Sequence, residues 1–157
     1  MTESTEYLLG NSDGERERLL RQGELFREQA RWLLDHIGIP AGGRVLDVGC
    51  GPLGILDLLS ERVGTEGAVL GLDRDPQMRD WAGLSVAERG LGNVRIVAGE
   101  AERSGLARES FDLVHARLVL INIADCDAVA REMAALTCPG GVVAVQDLDW
   151  VSWLCEP

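Results

Sequence analysis

Apolar and polar positions along the chain follow two patterns, helical spacing and short continuous runs. Over 12–37 the apolar residues recur at intervals of threes, fours and sevens, which predicts one amphipathic helix. Ser12 and Glu15 form a capping-box pattern at its start. The segment 39–43 contains Pro40 and two glycines and ends the helix, and the run at 44–48 predicts a short buried strand.

Strand and helix patterns alternate from residue 44 onward. The predicted elements are strand 1 at 44–48, a helix at 53–63, strand 2 at 68–73, a helix at 76–89, strand 3 at 94–98, strand 4 at 111–116, a helix at 125–136 and strand 5 at 142–146. Such alternation predicts parallel strands, because the crossover helices must cover both faces of the sheet. The sequence therefore predicts an α/β fold, a Rossmann-like three-layer sandwich with a mainly parallel sheet.

The composition fits one globular domain over 1–157, with 46% apolar and 26% charged residues. Within it we distinguish an N-terminal helical segment at 1–40 and a core at 41–149. The apolar runs at 118–121 and 142–145 are far shorter than the ~20 residues of a membrane-spanning helix, and the first residues lack the pattern of a secretory signal. We therefore expect a soluble, cytoplasmic protein with reduced cysteines.

Acidic residues outnumber basic ones by 26 to 15, which gives a formal net charge of −11, and every basic residue is arginine. The arginines are scattered among acids instead of forming a basic stripe, so we expect neither DNA nor RNA as a direct partner. The four cysteines form no CxxC pair and the chain has only two histidines, which argues against a structural metal site. We expect no metal and no membrane partner.

The strongest chemical signal follows strand 1, where residues 47–54 read Asp-Val-Gly-Cys-Gly-Pro-Leu-Gly and contain a GxGxxG pattern. Glycines at this place let a ligand approach the backbone at the start of the next helix. The pattern alone is compatible with a dinucleotide pyrophosphate or with a tight turn that binds nothing. Asp47 would repel a pyrophosphate, but it suits a ligand with an ammonium and a sulfonium group, such as S-adenosylmethionine.

Acidic residues also follow the next two predicted strands. Asp73 ends strand 2, where a carboxylate can accept hydrogen bonds from both ribose hydroxyls of a nucleoside. Glu100 follows strand 3, where it could accept from an adenine amino group. The carboxyl ends of parallel strands are where such sheets bind ligands, so acids after three successive strands predict one nucleoside site.

In this order the segments resemble the class I S-adenosylmethionine-dependent methyltransferases, of the small-molecule type found in ubiquinone and menaquinone biosynthesis. Residues 45–51 resemble the first family motif, 71–78 the second, 99–102 through 110–114 the third and fourth, and 136–141 the turn before strand 5. The resemblance covers 44–147 continuously. Two positions depart from it, because the family usually has its third glycine where Leu53 stands and an aspartate where Glu100 stands.

The resemblance implies that S-adenosylmethionine is the cofactor and assigns roles to matching positions. The implied cofactor-binding residues are Asp47, Gly49, Cys50, Gly51, Asp73, Arg74, Glu100, Ala101 and Ala116. His115 and Arg117, at the tip of strand 4, would border the transferred methyl group and the substrate. His115 is a candidate general base, although a packed strand-end residue is an equal alternative and alignment alone can drive methyl transfer. Trp150, just past strand 5, is a candidate substrate contact, and Tyr7 resembles an N-terminal segment that closes over the cofactor in related enzymes.

The resemblance also implies the strand order 3-2-1-4-5 followed by two more strands, which the sequence lacks. We therefore expect a methyltransferase acting on a small, apolar or aromatic metabolite, as the amino-terminal portion of a longer enzyme. The alternative is a non-catalytic or partner-dependent S-adenosylmethionine-binding module; an NAD-dependent oxidoreductase is disfavoured by Asp47. The apolar edge at 142–145 predicts self-association or a partner chain at the C-terminal edge. We expect Trp32 and Trp81 to be packing residues.

Overall fold

The computed structural model describes residues 13–149, so Tyr7, Ser12 and Trp150 lie outside the described residues. The elements are α1 (Asp13–Leu25), α2 (Arg27–Ile37), β1 (Arg44–Val48), α3 (Leu56–Val63), β2 (Ala68–Asp73), α4 (Pro76–Glu88), β3 (Val94–Ala98), β4 (Phe111–Arg117), a 3₁₀ turn (Leu120–Asn122), α5 (Cys126–Leu136) and β5 (Thr137–Gln146). The predicted bounds of β1, β2 and β3 match these ranges, and the other predicted elements occur with shifted ends.

The five strands form one parallel sheet in the order β3-β2-β1-β4-β5. Successive residues of a strand point to opposite faces, and each face is apolar because helices cover it. One face of β1 and β4 contributes Val45 and Leu113 to a core cluster that also contains Leu56 and Leu59 of α3. The other face contributes Leu46 and Val114 to a cluster with α5, where Leu136 is fully buried. The structure confirms the predicted Rossmann-like α/β fold and strand order.

The helix predicted over 12–37 is two helices, because the chain breaks at Phe26. The backbone of Phe26 has φ −98° and ψ 11°, and no side chain caps the new helix start. Apolar spacing shows only which side of a segment is apolar. Phe26 continues the spacing of both helices, so the spacing gives no sign of the break. After the break, α2 buries Ala30 and Leu34 in the core.

Two other predicted starts are wrong. The helix expected from residue 53 begins at Leu56, because Gly51 and Gly54 have φ 56° and 54° and hold the preceding residues in turns. Strand β5 begins at Thr137, ahead of the predicted start at 142, because Thr137 already pairs with Phe111 of β4. The segment between Thr137 and Val142 bulges out of the ladder, and the pairing resumes at Leu113 with Val142.

The two tryptophans within the described range differ in burial. Trp81 on α4 is 7% exposed, which confirms its packing role. Trp32 on α2 is 62% exposed and stacks on His36, with ring centroids 4.0 Å apart, so the prediction that it packs in the interior is wrong. Among residues 13–149 no helix is long and apolar enough to cross a membrane.

Candidate functional site

A cavity of about 730 Å³ lies where the carboxyl ends of β1, β2, β3 and β4 meet the first helix. Its wall includes nine of the residues predicted for the site, namely Asp47, Gly49, Cys50, Gly51, Asp73, Arg74, Glu100, Ala101 and Arg117. His115 and Ala116 are absent from the wall. The size falls within the range of about 300–1,000 Å³ that is usual for small-molecule sites.

The glycine-rich turn after β1 forms the floor of this cavity. The amides of Gly49 and Cys50 donate to the carbonyl oxygen of Leu72 at 2.7 and 3.0 Å, which fixes the turn against β2. A Cβ atom at Gly49 would lie 2.6 Å from Val119 Cγ2, so the close approach of Val119 excludes any larger residue. Gly51 has φ 56°, and a Cβ there would meet nothing within 4 Å. Its backbone therefore leaves room for a ligand.

Asp73 at the end of β2 is held by two backbone donors. The amide of Gly51 donates to its Oδ2 at 2.9 Å, and the amide of Asp75 donates to its Oδ1 at 3.0 Å. Burial raises the pKa of the Asp73 carboxyl above its ordinary value, although both of these hydrogen bonds act to lower it. A carboxylate has about four acceptor positions, so about two remain for the hydroxyls of a ligand.

The carboxylate of Asp47 is buried at the tip of β1, with 3% of the residue exposed. Its Oδ1 lies 2.7 Å from Nδ1 of His115, which is 0% exposed. Arg117, two residues further along β4, donates from Nη2 to the carbonyl oxygen of Gly54 at 3.2 Å, while its Nη1 is buried and finds no hydrogen-bond partner in the part of the chain that the structure describes. Burial lowers the pKa of the Arg117 guanidinium, and the negative charge of Asp47 opposes that shift.

The placement of His115 and Ala116 corrects two expectations. His115 is sealed beneath the cavity instead of bordering it, because its ring is fully buried. A role as general base toward a substrate therefore does not fit its position. Ala116 belongs to the apolar cluster on the opposite face of the sheet, because consecutive strand residues alternate between faces. Arg117 is the β4 residue that reaches the cavity wall.

The residues that follow β2 and β3 form the next part of the wall. Glu100 and Ala101 both line it, and the Glu100 side chain is exposed. Arg74 lines it as well. Arg79 of α4, which no sequence signal identified, donates from Nη1 to the carbonyl oxygens of Asp73 and Arg74 at 3.0 and 2.7 Å. Arg79 therefore stabilises the turn that presents Asp73.

Helix α1 and the segment after β4 complete the wall, and the sequence did not identify either. From α1 come Arg18, Leu19, Gln22 and Gly23, and from the segment after β4 come Leu118, Val119, Ile121, Asn122 and Ile123. The α1 helix is attached to α4 through Arg16, which donates to Ser85 Oγ at 3.3 Å. Asp147, just past β5, accepts hydrogen bonds from the amides of Leu120 and Ile121 and so holds the second segment.

The lining residues fit an adenosyl ligand with a cationic amino acid end. Asp73 offers acceptor positions for ribose hydroxyls, Gly51 leaves open space beside them, and Asp47 places a second carboxylate at the far side of the same glycine turn. A group of three or more histidine, cysteine or acidic side chains able to hold a metal ion does not occur between residues 13 and 149.

A parallel sheet in this order, with a glycine turn after its first strand and acids after its first two, defines the Rossmann-like class of nucleoside-binding proteins. The family model described as "Methyltransferase domain" matches residues 39–156. The chain belongs to the class I S-adenosylmethionine-dependent methyltransferases. This confirms the predicted family and its cofactor, S-adenosylmethionine.

Relatives of known name are similar over most of this chain. Demethylmenaquinone methyltransferase of Geobacillus kaustophilus is 38% identical over 120 residues, which are 74% of this chain and 51% of that protein. Nocamycin O-methyltransferase of Saccharothrix syringae is 39% identical over 123 residues, which are 78% of this chain and 44% of that protein. The chain therefore spans about half the length of the curated relatives it matches.

Solved structures show the same fold. A methyltransferase from Aquifex aeolicus superposes with a TM-score of 0.75 at 24% identity, over 84% of this chain and 72% of that one. The arsenic(III) S-adenosylmethionine methyltransferase of Chlamydomonas reinhardtii superposes with a TM-score of 0.64 at 33% identity, over 71% of this chain and 40% of that one.

Proposed function

We propose that this chain binds S-adenosylmethionine in the cavity above β1 and β2 and takes part in methyl transfer to a small, apolar or aromatic metabolite. The observation that carries the proposal is the pair of carboxylates, Asp47 and Asp73, on either side of the open backbone at Gly51 within one cavity. The named relatives act on molecules of this kind, including demethylmenaquinone and nocamycin.

In this proposal each end of the cofactor meets a different part of the glycine turn. Asp73 accepts from the ribose hydroxyls, Gly49 and Gly51 lie under the amino acid portion, and Asp47 attracts its ammonium group. Arg74, Glu100 and Ala101 border the adenine, and Cys50 packs beneath the turn with a buried side chain. A bound S-adenosylmethionine would supply an activated methyl group on a sulfonium centre.

The acceptor would bind on the other side of the cavity, between α1 and the segment after β4. Leucine, valine and isoleucine side chains predominate there, and Arg117 brings a guanidinium to that wall. Apolar walls of this kind exclude water and orient the acceptor, which can account for most of the rate of a methyl transfer. No residue here is required to act as a base.

Titration calorimetry tests the binding part of the proposal. We expect the chain to bind S-adenosylhomocysteine and S-adenosylmethionine, and to bind NAD far more weakly. Tighter binding of NAD would overturn it. Transfer of a labelled methyl group to demethylmenaquinone or a soluble hydroxynaphthoquinone tests the acceptor class, and a chain that binds the cofactor yet methylates only polar acceptors would contradict it.

A second candidate is a cofactor-binding module that acts in an assembly, and the outer edge of the sheet favours it. Strand β5 has no neighbour on its outer side among the described residues, and Val143 and Val145 are 41% and 44% exposed. We propose self-association of two copies through this edge. Sedimentation should then show a dimer that Val145→Lys converts to a monomer, and a wild-type monomer would exclude this self-association.

The cytoplasmic location stays a prediction from the sequence.

A further inference from the structure

The one fully buried histidine among the described residues is paired with a carboxylate of the cavity wall. Asp47 and His115 are direct neighbours in the register of β1 and β4, so their side chains leave the same face of the sheet. Asp47 Oδ1 and His115 Nδ1 lie 2.7 Å apart, with 3% and 0% of the residues exposed. Such a short contact between buried groups is a charge-assisted hydrogen bond.

The contact determines the tautomer of the imidazole. An ionised carboxylate only accepts hydrogen bonds, so His115 Nδ1 must carry the proton. The other ring nitrogen, Nε2, is buried and has no hydrogen-bond partner within residues 13–149. Leaving a buried nitrogen unpaired costs stability, and an apolar side chain, like those of Val45 and Leu113 on the same face of the sheet, would avoid that cost. The histidine is therefore explained by what Nδ1 does for Asp47.

Arg117 is the competing partner for the same carboxylate. The negative charge of Asp47 raises the pKa of its guanidinium against the effect of burial, and its Nη1 is buried without an acceptor among the described residues. An ion pair between Arg117 and Asp47 would neutralise the carboxylate and leave it less available to a cationic ligand. In the structure Arg117 donates to the carbonyl oxygen of Gly54 instead, and Asp47 remains bound to His115 while it lines the cavity.

We propose that His115 is a positioning residue: by donating from Nδ1 to Asp47 it holds that carboxylate at the cavity wall, available for the ammonium end of the ligand. This inference rests on the proposed function, because it requires an adenosyl ligand with a cationic amino acid end. His115 touches neither ligand nor acceptor, and its contribution acts entirely through Asp47.

The test compares two ligands that differ at that end. S-adenosylhomocysteine carries the amino acid portion, and 5′-methylthioadenosine lacks it. We expect His115→Leu to weaken binding of S-adenosylhomocysteine about tenfold, the lower end of the range for loss of one charged hydrogen bond, and to leave 5′-methylthioadenosine unchanged. His36→Asn, at the exposed histidine of α2, is the matched control and should alter neither affinity.

Two amide variants separate positioning from packing. The side-chain nitrogen of asparagine can occupy the place of Nδ1, whereas that of glutamine lies nearer to Nε2. His115→Asn should therefore restore most of the affinity for S-adenosylhomocysteine, and His115→Gln should not. If His115→Leu shows no cooperative melting transition, the comparison of the two amides decides alone, and equal affinities of the two would overturn the inference.

The remaining outcomes distinguish this inference from the proposed function. A wild-type chain that binds neither ligand refutes the proposed function itself. A wild-type chain that binds both, together with a His115→Leu variant that weakens both ligands equally, assigns His115 a packing role and overturns only the inference. In an Asp47→Asn background we expect His115→Leu to have no further effect on S-adenosylhomocysteine, and a full additional loss would also overturn the inference.

Discussion

Replacing Asp73 by asparagine tests the ribose contact without changing the shape of the side chain. The wild-type carboxylate accepts from the amides of Gly51 and Asp75, and the asparagine oxygen can keep one of these hydrogen bonds. The variant loses the negative charge that would accept from the ribose hydroxyls. The glycine turn itself stays anchored, because the amides of Gly49 and Cys50 donate to Leu72 and not to Asp73.

The expected loss of affinity follows from the value of a charged hydrogen bond. Losing one such bond costs about 1.5–3 kcal/mol, which corresponds to a dissociation constant for S-adenosylhomocysteine about 10- to 160-fold higher. Asp80→Asn removes the same charge from an exposed position on α4 and serves as the matched control. Calorimetric titration of the wild type and both variants gives the three constants.

Acid pH should stabilise the ligand-free wild type relative to the ligand-free Asp73→Asn variant. Burial raises the pKa of Asp73 in the folded state above its ordinary value, so the folded protein binds the proton more readily than the unfolded chain. As pH falls through that raised pKa toward 3.8, this group makes the wild type more stable, and Asp73→Asn lacks the gain. At neutral pH the buried, ionised Asp73 carboxyl destabilises the folded wild type, whereas the neutral asparagine of the variant does not.

Denaturant titrations at several pH values measure this difference in the free energy of unfolding. An affinity for S-adenosylhomocysteine that Asp73→Asn leaves unchanged would refute the ribose assignment. A difference in stability between wild type and variant that stays constant from pH 7 to pH 4 would refute the argument from burial.

Three further predictions concern other parts of the structure. Gly51→Ala should abolish binding of S-adenosylhomocysteine, measured by calorimetry. The control is Gly42→Ala, because Gly42 also has φ in the left-handed region and open space for a Cβ; each variant should lower stability by about 1–2 kcal/mol. Equal binding of S-adenosylhomocysteine by both variants would contradict the site. Glu132→Gln should lower the free energy of unfolding by about 1–3 kcal/mol at pH 7. Burial opposes ionisation of Glu132, but hydrogen bonds from Ser104 and Arg108 lower its pKa overall, so this stability is lost as pH falls through the lowered value; a loss as large at pH 3 as at pH 7 would be contrary evidence. Burial raises the pKa of the Cys50 thiol well above 9.0, so iodoacetamide should label the exposed Cys126 before Cys50, as measured by peptide mass spectrometry. Early labelling of Cys50 would contradict its burial beneath the glycine-rich turn.

The bounds of β1, β2 and β3 were predictable because local residues define them. Asp73 follows a continuous apolar run, and Val94 follows a glycine and an asparagine, so the bounds of β2 and β3 agree with the structure. The break at Phe26 was not predictable from spacing, because an apolar stripe continues across it. The start of β5 was missed because the pairing of Thr137 with Phe111 depends on a distant strand.

The part of the candidate site that directly follows the strands could be predicted from the sequence. Residues directly after β1 and β2, such as Gly51 and Asp73, line the cavity because the carboxyl ends of parallel strands meet at one edge. The sequence left His115 open between a cavity residue and a packed residue, because nearness to a strand end does not fix depth or face. Arg79 and the α1 wall gave no signal, because their places depend on how helices pack against the sheet.

The cavity wall comes from three stretches of the chain. The wall assigned to the nucleoside is one continuous stretch, residues 47–102, whereas the opposite wall comes from α1 before it and from residues 117–123 and Leu148 after it. The loop at 103–110 separates the nucleoside wall from the later stretch. Recombination in that loop can thus exchange residues 117–123 and Leu148 while α1 and the nucleoside wall are inherited together. A lineage built on this chain order can acquire new acceptors without rebuilding its cofactor site.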